Sequence, residues 1–228
     1  MWEIITSVYE SSIFVYGLTL LIIYAILAIF SFLAIASYVK KNKYFDYEAI
    51  VSSPLTPGIS IIAPAFNEGL TIIANVKSLL TLNYPVFEVI IVNDGSTDTT
   101  LQLMIDEFNL KIVEFAYNPK IKTQPVKCIY KSSQTQFLKL TVIDKENGKS
   151  KADASNAGVN VAGYAYFLCT DVDCILDKDT LLKLVEPIMK ADDGRVIATG
   201  ATLRIANSCD FDGTLITRMR PPKSLIPR

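Results

Sequence analysis

Asp171 and Asp173 stand two residues apart at the end of an apolar run, Tyr166 to Thr170. Alternate side chains of an extended segment share a face, so both carboxylates converge while Val172 turns away. Two convergent carboxylates suit a hard divalent cation, Mg2+ or Mn2+, which takes oxygen ligands and can bridge a diphosphate. Such an ion acts as a Lewis acid and neutralises charge building on a departing nucleoside diphosphate. An Asp-x-Asp also occurs in plain surface turns, and its position after a buried strand is what favours the metal. A second cluster, Asn93-Asp94-Gly95-Ser96-Thr97-Asp98, contains a glycine that tolerates a sharp turn at positive φ. There the Asp94 carboxylate can accept a uracil N3–H or a ribose hydroxyl; the alternative is an Asx-turn feeding a capped helix. In Pro64-Ala65-Phe66-Asn67-Glu68, Asn67 and Glu68 offer acceptors to a base or ribose, or else form a helix start with a first-turn acid. Lys151-Ala152-Asp153-Ala154-Ser155-Asn156-Ala157-Gly158 puts Lys151, Ser155 and Gly158 near one side of a helix, with small residues that permit close approach. It reads equally as an ordinary helix start with a solvated Lys and Asp.

Strand-like and helix-like segments alternate around these clusters. Ile59 to Ala63 is an apolar β-branched run with Pro64 expected to stop its ladder, and Val89 to Val92 is a second buried strand. Leu70, Ile73, Val76, Leu79 and Leu80 recur at helical spacing up to the break at Pro85. Asp98 to Phe108 is expected to be helical, capped by Ser96 or Thr97. Lys111–Phe115 and Leu138–Ile143 read as strands, Lys151–Ala162 as a helix, Tyr166–Thr170 as a buried strand, Asp179–Met189 as a helix, and Val196–Ile205 as one or two further strands. This alternation predicts βαβ units and a mostly parallel α/β sheet, whose ligands bind beyond the carboxyl ends of the strands. The polar clusters lie at those ends.

The domain is preceded by an oily segment. From Ile13 to Tyr38 no charged side chain occurs, and about 20 apolar residues suffice to span a bilayer as a helix. Glu3 and Glu10 precede it, and Lys40, Lys41 and Lys43 follow. A cleaved signal peptide would carry the opposite flank and a shorter apolar region. Basic residues stay on the cytoplasmic side, which predicts a single-pass anchor with the remainder in the cytosol. The expected division is a flank at 1–12, a transmembrane helix at 13–39, a linker at 40–58 and a domain at 59–228. With 22 Lys plus Arg against 23 Asp plus Glu, no general basic surface exists for nucleic acid. Cys128, Cys169, Cys174 and Cys209 fit no zinc spacing, and a reducing cytosol disfavours disulfides, so they read as small apolar fillers.

Taken together, Ser60–Glu68, Val89–Ser96, Val142–Gly148 with Lys151–Gly158, and Asp171–Asp173 resemble the inverting, GT-A-fold glycosyltransferases of family two. That family includes cellulose, chitin, hyaluronan and poly-N-acetylglucosamine synthases, and the single N-terminal span looks most similar to the bacterial poly-N-acetylglucosamine-synthase-like members. The resemblance implies a GT-A, Rossmann-like fold behind one membrane helix and transfer of sugar from a UDP-sugar to a glycan acceptor. It implies donor contacts at Ala63, Pro64, Asn67, Glu68, Asp94, Lys151, Asp153, Asn156 and Asp171, with Asp94 holding the uridine and Asn156 supporting its helix. Asp171 and Asp173 would serve Mg2+ or Mn2+, Asp173 more directly. Gly148-Lys149-Ser150-Lys151 carries one residue more than the family's Gly-Gly-Lys. The family's general base, a Gln-x-x-Arg-Trp segment and later membrane helices are expected beyond Arg228. No catalytic base is identified in this chain, since Asp210 and Asp212 read as a surface turn, and a C-terminally truncated enzyme is the expectation. Two other classes are weighed. A nucleotidyltransferase would need a Gly-rich basic loop after the first strand, which Ala65-Phe66-Asn67-Glu68 is not. A catalytically incomplete nucleotide-sugar-binding subunit, working with the bilayer and a partner membrane subunit or a second copy, is the other.

Overall fold

The structure is a computed structural model and describes residues 2–42, 47–191, 196–201, 209–212 and 215–219. The chain divides into two units, Met1–Ala49 and Ile50–Arg228. The first is dominated by helix α1, Trp2–Asn42, which takes in most of the 1–12 flank as well as the uncharged stretch. Within it Trp2–Ser37, whose most apolar 18-residue window has a mean hydropathy of 2.8, is long and apolar enough to cross a membrane. Large apolar side chains stand exposed along that helix. The hydroxyls of Ser12 and Thr19 donate to the carbonyls of Val8 and Val15, four residues earlier, which satisfies polar groups without leaving the helix.

A short helix, α2 (Tyr47–Ser52), crosses the boundary between the units in sequence, inside the stretch read as linker. Strand β1 (Ile59–Ala65) is followed by α3 (Ile72–Leu80), β2 (Phe87–Asp94) and α4 (Thr100–Phe108). Then come β3 (Leu110–Ile112), β4 (Val126–Ser132), β5 (Leu140–Lys145), α5 (Lys151–Val161), β6 (Tyr166–Cys169) and α6 (Thr180–Lys190). A hairpin of β7 (Cys209–Asp212) and β8 (Leu215–Met219) forms a separate two-stranded sheet. The main sheet has the order β3-β4-β5-β2-β1-β6. β5, β2, β1 and β6 are mutually parallel, and β4 runs antiparallel between β5 and β3. This is the mostly parallel α/β architecture expected, with helices packed on the sheet.

Ile61, Ile62, Val89, Ile90, Ile91, Val92, Val142 and Ile143 are fully buried in the central strands. Ile62, Ile90, Val92 and Ile143 pack with Ala154, Ala157 and Val161 of α5. The small residues of α5 let it lie low on the sheet. A Cβ added at Gly158 would come within 2.4 Å of Ile62 Cγ2. The row that faces α5 therefore continues, by two-residue alternation, to Asp94 at the end of β2 and Lys145 at the end of β5.

Several expectations need correction. Pro64 does not stop the ladder: β1 continues in register with β2, Pro64 opposite Val92 and Ala65 opposite Asn93. The pairing with β6 ends at Ile62 opposite Cys169, so Pro64 has a strand on one side only, where a missing N–H is tolerated. Neither Ser96 nor Thr97 caps α4; Asp98 Oδ1 accepts from the Thr100 amide at 2.9 Å. Among the described residues β6 is an edge strand, with Tyr166 39% and Phe167 54% exposed. Asp210 and Asp212 lie in β7, paired opposite Arg218 and Leu215 of β8, rather than in a turn. Residues 196–201 form no strand, and the rest of the Val196–Ile205 segment lies outside the described residues. Cys169 is exposed, so it is no apolar filler.

The tight fit of α5 yields a direct expectation. Gly158→Val should destabilise the chain by about 1–3 kcal/mol, the usual cost of overpacking a fixed core, read as a lowered denaturant midpoint.

Candidate functional site

The parallel strands deliver the sequence clusters to one edge of the sheet. At its centre lies Lys145, whose side chain is fully buried. Its Nζ donates to Asp94 Oδ1 at 2.6 Å and to the Glu146 carbonyl at 2.5 Å. It also forms an ion pair with Asp153 Oδ2 at 2.6 Å. Burial alone would lower the pKa of this ammonium, but the carboxylates of Asp153 and Asp94 outweigh that and hold it above the ordinary lysine value. The loop after β5 closes around Asp94. Gly148 N–H donates to Asp94 Oδ1 at 3.0 Å, and Asn147 Nδ2 to the Asp94 carbonyl at 2.7 Å. A side chain at Gly148 would run into the Asp153 carboxylate, 2.3 Å from its built Cβ. Beside this, Asn93 Nδ2 donates to Asp144 Oδ1 at 2.7 Å across the β2–β5 pair.

A second set of bonds ties the loop after β1 to the loop after β2. Asn67, at φ 57°, donates its backbone N–H to Ser96 Oγ at 3.0 Å and accepts the Thr97 N–H on Oδ1 at 2.9 Å. The Glu68 amide donates to Thr100 Oγ1 at 2.9 Å, and the Gly69 amide to Asp98 Oδ2 at 3.1 Å. Thr100 also donates through its hydroxyl and its amide to Asp98, which holds the Asp98 carboxyl below the usual carboxylate range. The stability this lends is present above the ordinary aspartate range and is lost as pH falls through the lowered pKa. Asn67 Oδ1 is thus engaged within the protein. Glu68 is half-buried and takes the Thr71 hydroxyl on Oε2 at 3.3 Å.

The third part is more open. Lys151, at the first turn of α5, forms an ion pair with Asp171 Oδ1, and both side chains are about half exposed. Ligand atoms of Asp171, Asp173 and Cys174 all lie within 4.8 Å of one another. Two carboxylate oxygens at this spacing fit a hard cation, while the Cys174 thiol is the softer donor. Asp153 is linked outward as well, accepting the Gln124 N–H on Oδ1 at 3.0 Å. Ala63 is buried in β1 beneath the site, Pro64 is half-buried, and Asn156 is half-buried on α5. The structure therefore brings Asp94 and Asp153 together on one buried cation and Lys151 against Asp171, while Asn67 staples two loops. Reading the sequence missed Lys145. The signal was present: Thr141, Ile143 and Lys145 alternate along β5 toward α5, which places a lysine in a buried row.

Comparison with known proteins then fixes the family. The family described as Glycosyl transferase family 2 matches residues 60–122 and 123–213, more than half of the chain. The chain belongs to that family. It is 29% identical over 179 residues to the poly-beta-1,6-N-acetyl-D-glucosamine synthase of Staphylococcus epidermidis, covering 78% of this chain and 36% of that protein. It thus spans about a third of the length of this curated relative. Among solved structures, S. aureus TarS 1–349 in complex with UDP-GlcNAc aligns over 58% of this chain and 31% of that one, at 24% identity and TM-score 0.42. The Pyrobaculum calidifontis mannosyltransferase PcManGT, with GDP-Man and Mn2+, aligns over 64% of this chain and 38% of that one, at 20% identity and TM-score 0.45.

The turn at Gly95 is the backbone element on which the Asp94 corner rests. It sits at φ 67°, and an added Cβ would lie 2.8 Å from the Asn147 amide nitrogen. Gly95→Ala should cost about 1–2 kcal/mol from the left-handed backbone alone, read as a lowered thermal midpoint. The displaced Asn147 should release the Asp94 carbonyl, seen as faster amide exchange in the loop after β5.

Proposed function

We propose that this domain binds a UDP-sugar at the carboxyl edge of β5, β2, β1 and β6 and serves its transfer, with inversion, to a glycan acceptor. The observation that carries the reading is the meeting of Asp94, Asp153, Lys151, Asp171 and Asp173 at one edge of a parallel sheet in a family 2 chain. Asp94 keeps one carboxylate oxygen on Lys145 and Gly148; the other is the acceptor for the uracil N3–H. Lys151, released from Asp171, meets the diphosphate. Asp171 and Asp173 hold Mg2+ or Mn2+, which when bound neutralises charge on the leaving diphosphate. Ala63, Pro64 and the backbone held by Asn67 and Glu68 form the wall beneath the nucleotide, and Asn156 supports α5 behind it. Polysaccharide synthesis is supported by the synthase to which the chain is similar.

The division of labour follows the sequence reading: α1 anchors the chain in the bilayer, and residues 59–228 carry the donor site behind a 40–58 connector. Lys40, Lys41 and Lys43 beside the apolar stretch support a cytoplasmic domain, since basic flanks stay on that side. We assign the donor side of the reaction to these residues and no general base among those described.

Calorimetric titration of UDP into the detergent-solubilised chain, with and without Mn2+, tests this. Binding should strengthen with Mn2+, and Asp173→Ala should remove at least about tenfold of the affinity, about 1.4 kcal/mol, while leaving the fold intact. A folded chain that ignores UDP under both conditions would refute the reading.

A further inference from the structure

A lysine with no exposure, placed between two candidate donor-binding carboxylates, has no explanation in metal or diphosphate binding. Lys145 Nζ reaches Asp94 Oδ1 and Asp153 Oδ2 at 2.6 Å each. Asp94 comes from β2, Asp153 from the first turn of α5, and Lys145 from β5. We propose that Lys145 is a positioning residue of the donor site: its charge holds Asp94 and Asp153 together and fixes Asp94 with one oxygen free for the nucleotide. This rests on the reading that Asp94 takes the uridine.

Each carboxylate also accepts one backbone N–H. Asp94 Oδ1 also accepts from Gly148 N–H, and Asp153 Oδ1 accepts from Gln124 N–H. Among the described residues no hydrogen bond falls on Asp94 Oδ2. The other charged groups around the cluster do not replace Lys145. On β5, Asp144 is bonded to Asn93, and the Glu146 side chain is exposed, only its carbonyl meeting the ammonium. Lys149 in the next loop is exposed, and Lys151 of α5 is paired with Asp171. Lys127 of β4 and Lys120 and Lys122 of the loop before it are exposed as well. Without Lys145, two carboxylates would share one pocket with no cation between them, and one would be pushed to take up a proton.

That consequence separates positioning by charge from a role in packing. UDP affinity is measured in Mg2+ between about pH 5.5 and 8, the window between ordinary aspartate and lysine titration. It is expressed as the ratio of variant to wild type, so that ionisation of UDP cancels. For Lys145→Met the ratio should be lower at the acid end than at the alkaline end by about tenfold, one pKa unit of coupling. The double variant Lys145→Met/Asp153→Asn removes the second carboxylate and should give a flat ratio. Lys145→Arg, which keeps the charge, should also be flat. Unchanged binding by folded Lys145→Met, or a loss equal at every pH, overturns the proposal. Should Lys145→Met not fold, a pH-dependent ratio in either of the other two variants overturns it. If wild type itself ignores UDP, the functional reading falls separately. Carbon-13 titration of the aspartate carboxyls without ligand then decides: one more aspartate should titrate within this window in Lys145→Met than in wild type, and its absence overturns the proposal.

Discussion

An ammonium group taken out of water loses its hydration, and only close anions make up the loss. Lys145 is such a group, and the Asp94 and Asp153 carboxylates close to its nitrogen come from different elements. Their attraction is strong because the pocket is sheltered from water, and for the same reason removing Lys145 would leave two carboxylates with no cation between them. The cluster therefore fixes the end of β2, the end of β5 and the start of α5 relative to one another. Through Asp153 and the Gln124 amide it also fixes the loop that leads into β4. Small residues complete the geometry: Gly148 lets the backbone lie against Asp153, and Gly158 lets α5 lie against Ile62.

Around that anchor the site grades from buried to open. The Asp94 corner is nearly closed and fully hydrogen-bonded on one oxygen, which would suit the base recognition proposed for it. The stapled loops carrying Asn67, Ser96, Thr97 and Asp98 are bonded to one another through backbone amides and short side chains. Bonds of this kind hold the two loops to each other, and such pre-organisation lowers the entropy cost of binding. The Lys151–Asp171 pair is different. Exposed ion pairs contribute about 0–1 kcal/mol, so this one can be exchanged for a metal or a phosphate at little cost. Rigid recognition and adjustable charge thus sit side by side at one sheet edge.

The edge strand β6 shows how position in the sheet outweighs local composition. Its run Tyr-Phe-Leu-Cys reads as a strand buried on both faces, yet Phe167 is half exposed, because among the described residues it has β1 on one side only. β4 was not legible for the opposite reason. Val-Lys-Cys-Ile-Tyr-Lys-Ser mixes charged and apolar residues, and it becomes a strand through pairing with β5 and β3 across a register shift. Pairing partners lie far off in sequence, and no local pattern names them.

By itself the sequence determined the elements whose signal is local: the long apolar helix, the β-branched strands β1 and β2, the helices α3, α5 and α6, and the mostly parallel class of the sheet. It also brought the acidic and small-residue clusters to strand ends, because strand periodicity and breaker residues act over a few positions. Tertiary structure alone decided which of those side chains meet. Asp94 and Asp153 are 59 residues apart in the chain and share one lysine that lies beyond the strand expected at Leu138–Ile143. Asn67 faces Thr97 instead of open crevice, and Asp98 rather than Ser96 or Thr97 meets the Thr100 amide. Charge pairing depends on distance in space and on the exclusion of water, and both come into being only when the sheet and α5 close on each other.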